Sequence, residues 1–390
     1  MYILLKRELG ATPNSLFLTF SFIAAVVSTF KRVFSTSEEA IRNEISCTAS
    51  AVYKNNDIIG TIGLYTLVKI QGMGIRMITV LSLSPAIDKI YLIDNFSAGS
   101  LYRVGNCLQS AGGKGINVSR VLKTLGADVR VLGFKAGSTG EWLEKSLAAL
   151  DAETRFISVE GLSRTNNNII DKINNRETEI LEEGPEINKE AWAAFLDTFR
   201  CSLAESQLLV CSGGLPKGVG TDTYARLIAE ANKFGVKTIL DSSGQVLRQG
   251  IEAGPYLIKP NLRELNAYFD LQLENDRDIV EACRKIIKKG VRIVVTSLGE
   301  KGAIMVTEDT VLKALPLKVE VANTIGSGDS MVAGICRGIS EGLSEAEAFR
   351  LGCACAASNT EFLEIGHIDV EKVKKLKESV VLQEMQINED

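Results

Sequence analysis

The chain has 390 residues, 45% of them hydrophobic and 24% charged, which are values of a globular protein with enough apolar side chains for a large core. A net charge of −4 argues against a nucleic-acid binder that works by neutralising phosphates. The lone histidine, His367, and eight cysteines without a CxxC pair argue against a multi-histidine metal site, a Ser-His-Asp triad and zinc or disulfide roles, so the cysteines read as buried thiols.

Residues 1–76 form a leader of uncertain status. Leu9 to Phe30 carries no charge and is flanked by Lys6 and Arg7 before it and Lys31 and Arg32 after it. That pattern suits a signal peptide or a marginal membrane anchor, although Pro13, Asn14 and several Ser and Thr residues dilute it. A true start at Met73 or Met77, with translated upstream sequence before it, is the reading preferred to an anchor. The remainder is expected to be cytoplasmic, without a membrane role.

From Met77 a regular rhythm begins. Met77 to Leu83 reads as a buried strand, Ile116 to Leu125 as a helix ended by Gly126, Val129 to Phe134 as a strand and Gly140 to Leu150 as a helix. Strands follow at Leu208 to Cys211, Lys237 to Leu240, Tyr256 to Ile258 and Arg292 to Thr296, separated by helices at Thr223 to Phe234 and Asp278 to Lys289. Gly328 to Ser340 and Glu345 to Thr360 read as helices rich in small residues. Alternating strands and helices predict an α/β fold with a mostly parallel sheet covered on both faces. Two excursions, near 89–107 and 167–181, alternate in polarity and contain turns, Asn174-Asn175 among them, and are expected to build a small β lid over a ligand site.

Four motifs carry chemistry. In Thr324 to Gly334 the residues Gly326, Ser327 and Gly328 precede a helix, whose exposed amides and dipole favour a developing negative charge. Asp329 falls in the first turn, placed to take a proton from an attacking hydroxyl, or merely to complement the helix dipole. Gly112-Gly113-Lys114-Gly115-Ile116-Asn117 lets backbone approach a ligand and adds a charge and an amide, or is a plain loop before a helix; it is not a Walker loop. In Lys259-Pro260-Asn261-Leu262-Arg263-Glu264, Asn261 and Glu264 share a helix face, suited to a capping box, to Mg²⁺ waters, or to both. Ser297-Leu298-Gly299-Glu300-Lys301-Gly302 follows a strand at the end where open α/β sheets bind ligands, and suits a hairpin turn equally.

With these motifs in this order, and with Ser84-Pro85-Ala86-Ile87-Asp88, the chain from Met77 to about Glu384 resembles the ribokinase-like (PfkB) carbohydrate kinases. It is most similar to the branch that holds 1-phosphofructokinase and tagatose-6-phosphate kinase. The resemblance implies a sugar-phosphate kinase domain over 77–384 with a ribokinase-like sheet and β lid, using ATP and Mg²⁺. It implies Asp329 as catalytic base and Gly326, Ser327 and Gly328 as an anion hole. Asp88, Gly112, Gly113, Lys114 and Asn117 would hold the sugar, and Arg164 and Asn166, from Ser163-Arg164-Thr165-Asn166, its phosphate region. Ser297, Leu298, Gly299, Glu300, Lys301 and Gly302 would line the ATP site beside Gly328 and Asp329, while Asn261 and Glu264 would serve the metal through water or phosphate. The chain departs from the family pattern at Ser84, at Ser163, in Ser212-Gly213-Gly214-Leu215-Pro216 and in Phe134-Lys135-Ala136-Gly137. The implied reaction takes fructose 1-phosphate to fructose 1,6-bisphosphate; tagatose 6-phosphate is the alternative substrate, and a non-catalytic sugar-phosphate sensor the alternative of another class. Lid strands that pair between subunits imply a homodimer.

Overall fold

The computed structural model describes residues 77–385 apart from 106 and 175. The leader, Cys47 and half of the Asn174-Asn175 turn therefore lie outside the described residues. Backbone contacts divide the chain into two units, 1–75 with 200–205 and 76–199 with 206–390, and the architecture that follows is the second's.

The apolar run β1 (Met77–Ser82) is a strand with Ile78, Val80 and Leu81 fully buried. After it β2 (Ala86–Leu92) and β3 (Cys107–Gly112) pair antiparallel. Next come α1 (Lys114–Thr124), β4 (Val129–Ala136), α2 (Gly137–Ala148) and β5 (Glu153–Val159). A second excursion, β6 (Arg164–Asp171) and β7 (Arg176–Leu181), precedes α3 (Lys189–Leu203) and β8 (Ser206–Ser212). The alternation resumes with α4 (Thr223–Lys233), β9 (Lys237–Asp241), α5 (Gly244–Glu252), β10 (Leu257–Ile258), α6 (Leu262–Phe269), α7 (Asp276–Ile287) and β11 (Ile293–Ser297). Then β12 (Ala303–Val306), β13 (Val311–Ala314), α8 (Ser327–Ser340), α9 (Glu345–Thr360), α10 (Val370–Ser379) and β14 (Leu382–Glu384) follow.

Ten strands form the main sheet in the order β14-β13-β12-β11-β10-β9-β8-β1-β4-β5. From β11 to β5 every neighbour is parallel, and β12, β13 and β14 add an antiparallel edge. β1 lies inside the sheet, which is why its sequence is apolar without alternation. Parallel pairing also sets the carboxyl ends of the strands, including Ser212, Asp241 and Ser297, along one edge. On the sheet's helical flank α8 and α9 approach closely through Gly334 and Gly338 against Gly352 and Ala348, the small residues that allow two helix backbones to come near.

The two excursions assemble into a separate four-stranded sheet, β3-β2-β6-β7. Its first part is placed differently from the sequence expectation: the strands are Ala86–Leu92 and Cys107–Gly112, not a pair within 89–107. The intervening Asn95 and Phe96 give their amides to the Asp171 carboxylate, at 3.1 and 2.8 Å, instead of to a ladder. The Asn174 side chain and amide donate to the same carboxylate, so Asp171, held down to about 2, ties the loop to the β6–β7 turn. Asp88, Ile90 and Leu92 alternate onto one face of β2, level with Asn166, Asn168 and Ile170 of β6. That face packs Ile90 and Ile170 on Ile365, with Ile325 and Leu363 beside them, and so covers the end of the main sheet where α8 begins.

Several elements escape sequence reading. β12 and β13 have four residues each, too short to show a period, and β14 has three. α10 is dominated by Lys and Glu, with Val373 its only buried residue, and its start is set by Asp369 accepting from Lys372 N at 3.0 Å. Of the cysteines, Cys211, Cys283, Cys336 and Cys355 are buried thiols, whereas Cys107, at the start of edge strand β3, is exposed, contrary to expectation.

Candidate active site

Gly326 starts α8 with φ of +83°, and a Cβ there would stand 2.7 Å from Ile365 Cγ2, so both conformation and space require glycine. Ser327, Gly328 and Asp329 follow in the first turn, where main-chain amides lack helical partners. Asp329 is only 6% exposed, yet its Oδ2 accepts from Asn117 Nδ2 of α1 at 2.9 Å. Burial raises its pKa; Lys114, Asn117 and Lys259 oppose that rise and the Asp241 carboxylate adds to it, leaving the group at about 7.

Asp241, at the carboxyl end of β9, lies between two ammonium groups. Lys114 Nζ stands 3.1 Å and Lys259 Nζ 3.6 Å from its Oδ1. Burial alone would push the Asp241 carboxyl up, but the two lysines hold it below its ordinary value. Lys114 is itself raised, because Asp241, with help from Asp329 and Glu264, outweighs the burial that disfavours its charge. Its side chain stays 38% exposed against 0% for Asp241, so the ammonium can reach an anionic ligand without losing its counter-ion. Gly328 adjoins the second lysine: a Cβ on it would lie 3.1 Å from Lys259 Nζ.

The small sheet brings the remaining polar groups together. Asp88 Oδ1 accepts from Asn166 Nδ2 at 2.7 Å and its Oδ2 from the Gly113 amide at 3.4 Å. Arg164 donates to Asn166 Oδ1 at 2.9 Å and to the Ser84 carbonyl at 3.2 Å. A Cβ at Gly112 would fall 1.9 Å from Asp88 Oδ2, so the first glycine of the loop makes room for that carboxylate. Burial raises Asp88 above its ordinary pKa against the pull of Asn166, Gly113, Arg120 and Arg164. Two of the departures from the family pattern thus have local tasks: Ser84 lends its carbonyl to Arg164, and Ser163 Oγ accepts from Ala136 N at 3.0 Å.

Asn261 and Glu264 form a complete capping box on α6, with Glu264 N donating to Asn261 Oδ1 at 2.8 Å and Asn261 N to Glu264 Oε2 at 2.9 Å. Asn261 also bridges Ser297 at the end of β11. Leu298 to Gly302 close a tight turn, with Gly299–Lys301 as a 3₁₀ segment and Leu298 N donating to Gly302 O at 2.9 Å, and the turn leads directly into antiparallel β12. Capping and hairpin roles are therefore present at both motifs whatever else they do. Among the described residues no group of three or more His, Cys, Asp or Glu side chains could hold a metal ion by itself. Glu264, its second carboxylate oxygen outside the capping box, and the buried, unpartnered Oδ2 of Asp241 fit a Mg²⁺ ion that keeps most of its waters and leans on phosphate oxygens. His367 is an exposed residue beside Glu364 and Phe362, away from these groups.

Sequence reasoning did not assign Asp241, Lys259 or Arg120 to the site. Asp241 was discoverable: it ends the strand Lys-Thr-Ile-Leu-Asp, and ligands of open α/β sheets gather at such ends. Arg120 carried no signal, being one more cation on an amphipathic helix.

The comparisons with known proteins agree with this arrangement. A family model described as pfkB family carbohydrate kinase matches residues 77–362. The chain is 35% identical over 290 residues to the 1-phosphofructokinase of Bacillus subtilis, a match covering 74% of this chain and 94% of that one. It is 34% identical over 303 residues to a tagatose-6-phosphate kinase of Staphylococcus epidermidis, covering 77% and 97%. The structure of phosphofructokinase-2 from Escherichia coli in complex with fructose-6-phosphate superposes with a TM-score of 0.71 at 27% identity, covering 78% of this chain and 99% of that one. A ribokinase from Thermotoga maritima shares the fold, with a TM-score of 0.64 at 22% identity over 77% and 99%.

Proposed function

The chain belongs to the pfkB family of carbohydrate kinases and is a phosphotransferase, and from that premise we propose that it transfers the γ-phosphoryl group of ATP to a hydroxyl of a ketohexose phosphate, with fructose 1-phosphate the preferred acceptor. The observation that carries the reading is Asp329, a buried carboxylate at the amide-rich start of α8, oriented by Asn117 and held near pKa 7. A base with that pKa is partly ionised at neutral pH and strong enough to accept a hydroxyl proton as the oxygen attacks phosphorus. The amides of Gly326, Ser327 and Gly328 face the charge that grows on the transferred group, and Lys114 offers a second positive contact. ADP leaves and the acceptor becomes a 1,6-bisphosphate.

In this reading Asp88, Gly112, Gly113, Asn117 and Asn166 hold the sugar, and Arg164 takes its phosphate with a planar guanidinium. The turn Ser297 to Gly302 lines the nucleotide site. Mg²⁺, when bound near Glu264 and Asn261, neutralises phosphate charge. The four-stranded sheet serves as a lid, residues 77–384 as the kinase domain, the active form as a homodimer and the cytoplasm as its location. Among the described residues no helix is long and apolar enough to cross a membrane. Tagatose 6-phosphate is a second acceptor supported by the similarity to a tagatose-6-phosphate kinase. A sensor without turnover is disfavoured by the retained Asp329 and its glycines.

The test is a coupled ADP-release assay across fructose 1-phosphate, fructose 6-phosphate, tagatose 6-phosphate and free sugars, run with the unaltered chain and with Asp329→Ala. The expected result is turnover of a ketohexose phosphate that falls by about 10²–10⁴ in the variant while ATP still binds. Unchanged turnover in Asp329→Ala removes the proposed base.

A further inference from the structure

We propose that Arg120 is a positioning residue that bridges the sugar-binding loop to the anion hole, although it touches neither reactant. Arg120 lies three residues after Asn117 on α1, so the two side chains are neighbours on one helix face. Its guanidinium donates through Nη2 to the carbonyl of Ala111 and through Nη1 to the carbonyl of Ile365.

Each carbonyl belongs to a critical segment. Ala111 immediately precedes Gly112, Gly113 and Lys114, so its position sets the Gly112 cradle around Asp88. Ile365 and Gly366 wedge between the two halves of the catalytic group. On one side, a Cβ at Gly366 would lie 3.2 Å from Asn117 Cα. On the other, a Cβ at Gly326 would lie 2.7 Å from Ile365 Cγ2 and 3.2 Å from Gly366 N. Asn117 orients Asp329, and Gly326 opens the anion hole, so this wedge sets the distance between the proposed base and the amides. Arg120 is the group that fastens it to α1.

Only a planar guanidinium, with its fork of donors, can hold two carbonyls of different segments at once. The charged groups that act on Arg120 are Asp88 of β2 and Glu364 of the wedge segment. In the other direction, its positive charge, with that of Arg164, favours the ionised form of Asp88. Two separable effects follow: a geometric one on turnover through the wedge, and an electrostatic one on sugar binding through Asp88. Because Lys114 and Asp241 lie across the site from this contact, nucleotide binding is not expected to respond.

This inference rests on the kinase reading of Asp329, and the experiment keeps the two apart. Arg120→Met, Arg120→Lys and Asp329→Ala are compared with the unaltered chain in the ADP-release assay, using whichever of fructose 1-phosphate and tagatose 6-phosphate the unaltered chain turns over, with a thermal melt on each preparation. Arg120→Met is expected to lower kcat about a hundredfold and to raise KM for the sugar phosphate, with KM for ATP unchanged. Arg120→Lys is expected to restore sugar-phosphate KM, because the charge returns, but not kcat, because a single ammonium cannot span both carbonyls. Wild-type kcat in either variant overturns the bridge. If Arg120→Met shows no cooperative melt, Arg120→Lys alone decides: low kcat with near-normal KM supports the bridge, and full recovery of kcat refutes it. Undiminished turnover in Asp329→Ala, or turnover of neither sugar phosphate by the unaltered chain, overturns the underlying kinase reading instead.

Discussion

Asp329 concentrates the electrostatics of the site. Its pKa of about 7 arises chiefly from burial, against the lysines and Asn117 that favour its charge. Activity limited by the ionised base should therefore rise through about pH 7, and kcat/KM measured from pH 5 to 9 checks the position of that limb. Stability carries the opposite sign. An unfolded aspartate ionises near pH 4, at about 3.9, so between pH 4 and 7 the folded chain keeps a proton that the unfolded chain releases. The stability this proton contributes is fully present below about pH 4 and is lost as pH rises through 7. Asp329→Asn does not suffer that loss. Its melting temperature relative to the unaltered chain should climb between pH 4 and 7 and level off above; a difference independent of pH would contradict the raised value. At this scale the sequence already displayed Gly-Ser-Gly-Asp, but not the pKa. That depends on Asn117, Lys114 and Asp241, which lie between 88 and 215 residues away along the chain and meet Asp329 only in the fold.

Turns and strand ends do the work at the scale of elements. β2, β3 and β6 run level with one another, so Asp88, Ser110 and Asn166 face the same side, and Gly112 closes against Asp88. Gly112→Ala would drive a methyl into the Asp88 carboxylate. It should raise KM for the sugar phosphate roughly tenfold to a hundredfold, leave KM for ATP near its normal value and retain cooperative unfolding, all readable by steady-state kinetics and a melt. The helices and parallel strands were legible because their periods and caps are local. The lid strands were harder to place: residues 93–105 are held by Asp171, a long-range partner that no local pattern announces. Asp241 escaped assignment for a similar reason, since its importance depends on which lysines the strand order brings beside it.

For the whole molecule, the small sheet presents its two faces differently. The face bearing Asp88 and Ile90 packs over the site, while the other carries Cys107 and Ile180, both exposed. β3 and β7 are free edges within the chain, and exposed edges with apolar neighbours favour pairing with another copy. The proposed homodimer is expected to give about twice the chain mass of 42.3 kDa by light scattering, and Ile180→Lys to shift the molecule toward monomer with its melt preserved. A monomeric unaltered chain would refute that assembly.

The sequence by itself determined the α/β alternation, the buried central strand, the glycine-rich helix start with Asp329, the Gly-Gly-Lys loop and the family they resemble. These are local signals, set by side-chain period, turn chemistry and caps within a few residues. Only the tertiary structure decided the company each group keeps. It placed Asp241 between two lysines, raised Asp329 by burying it beside them, laid Asp88 and Asn166 on one strand face, and brought the Ala111 and Ile365 carbonyls to a single guanidinium. Charge and hydrogen bonding act through space rather than along the chain, so their effects exist only once parallel strand order and helix packing have set those distances.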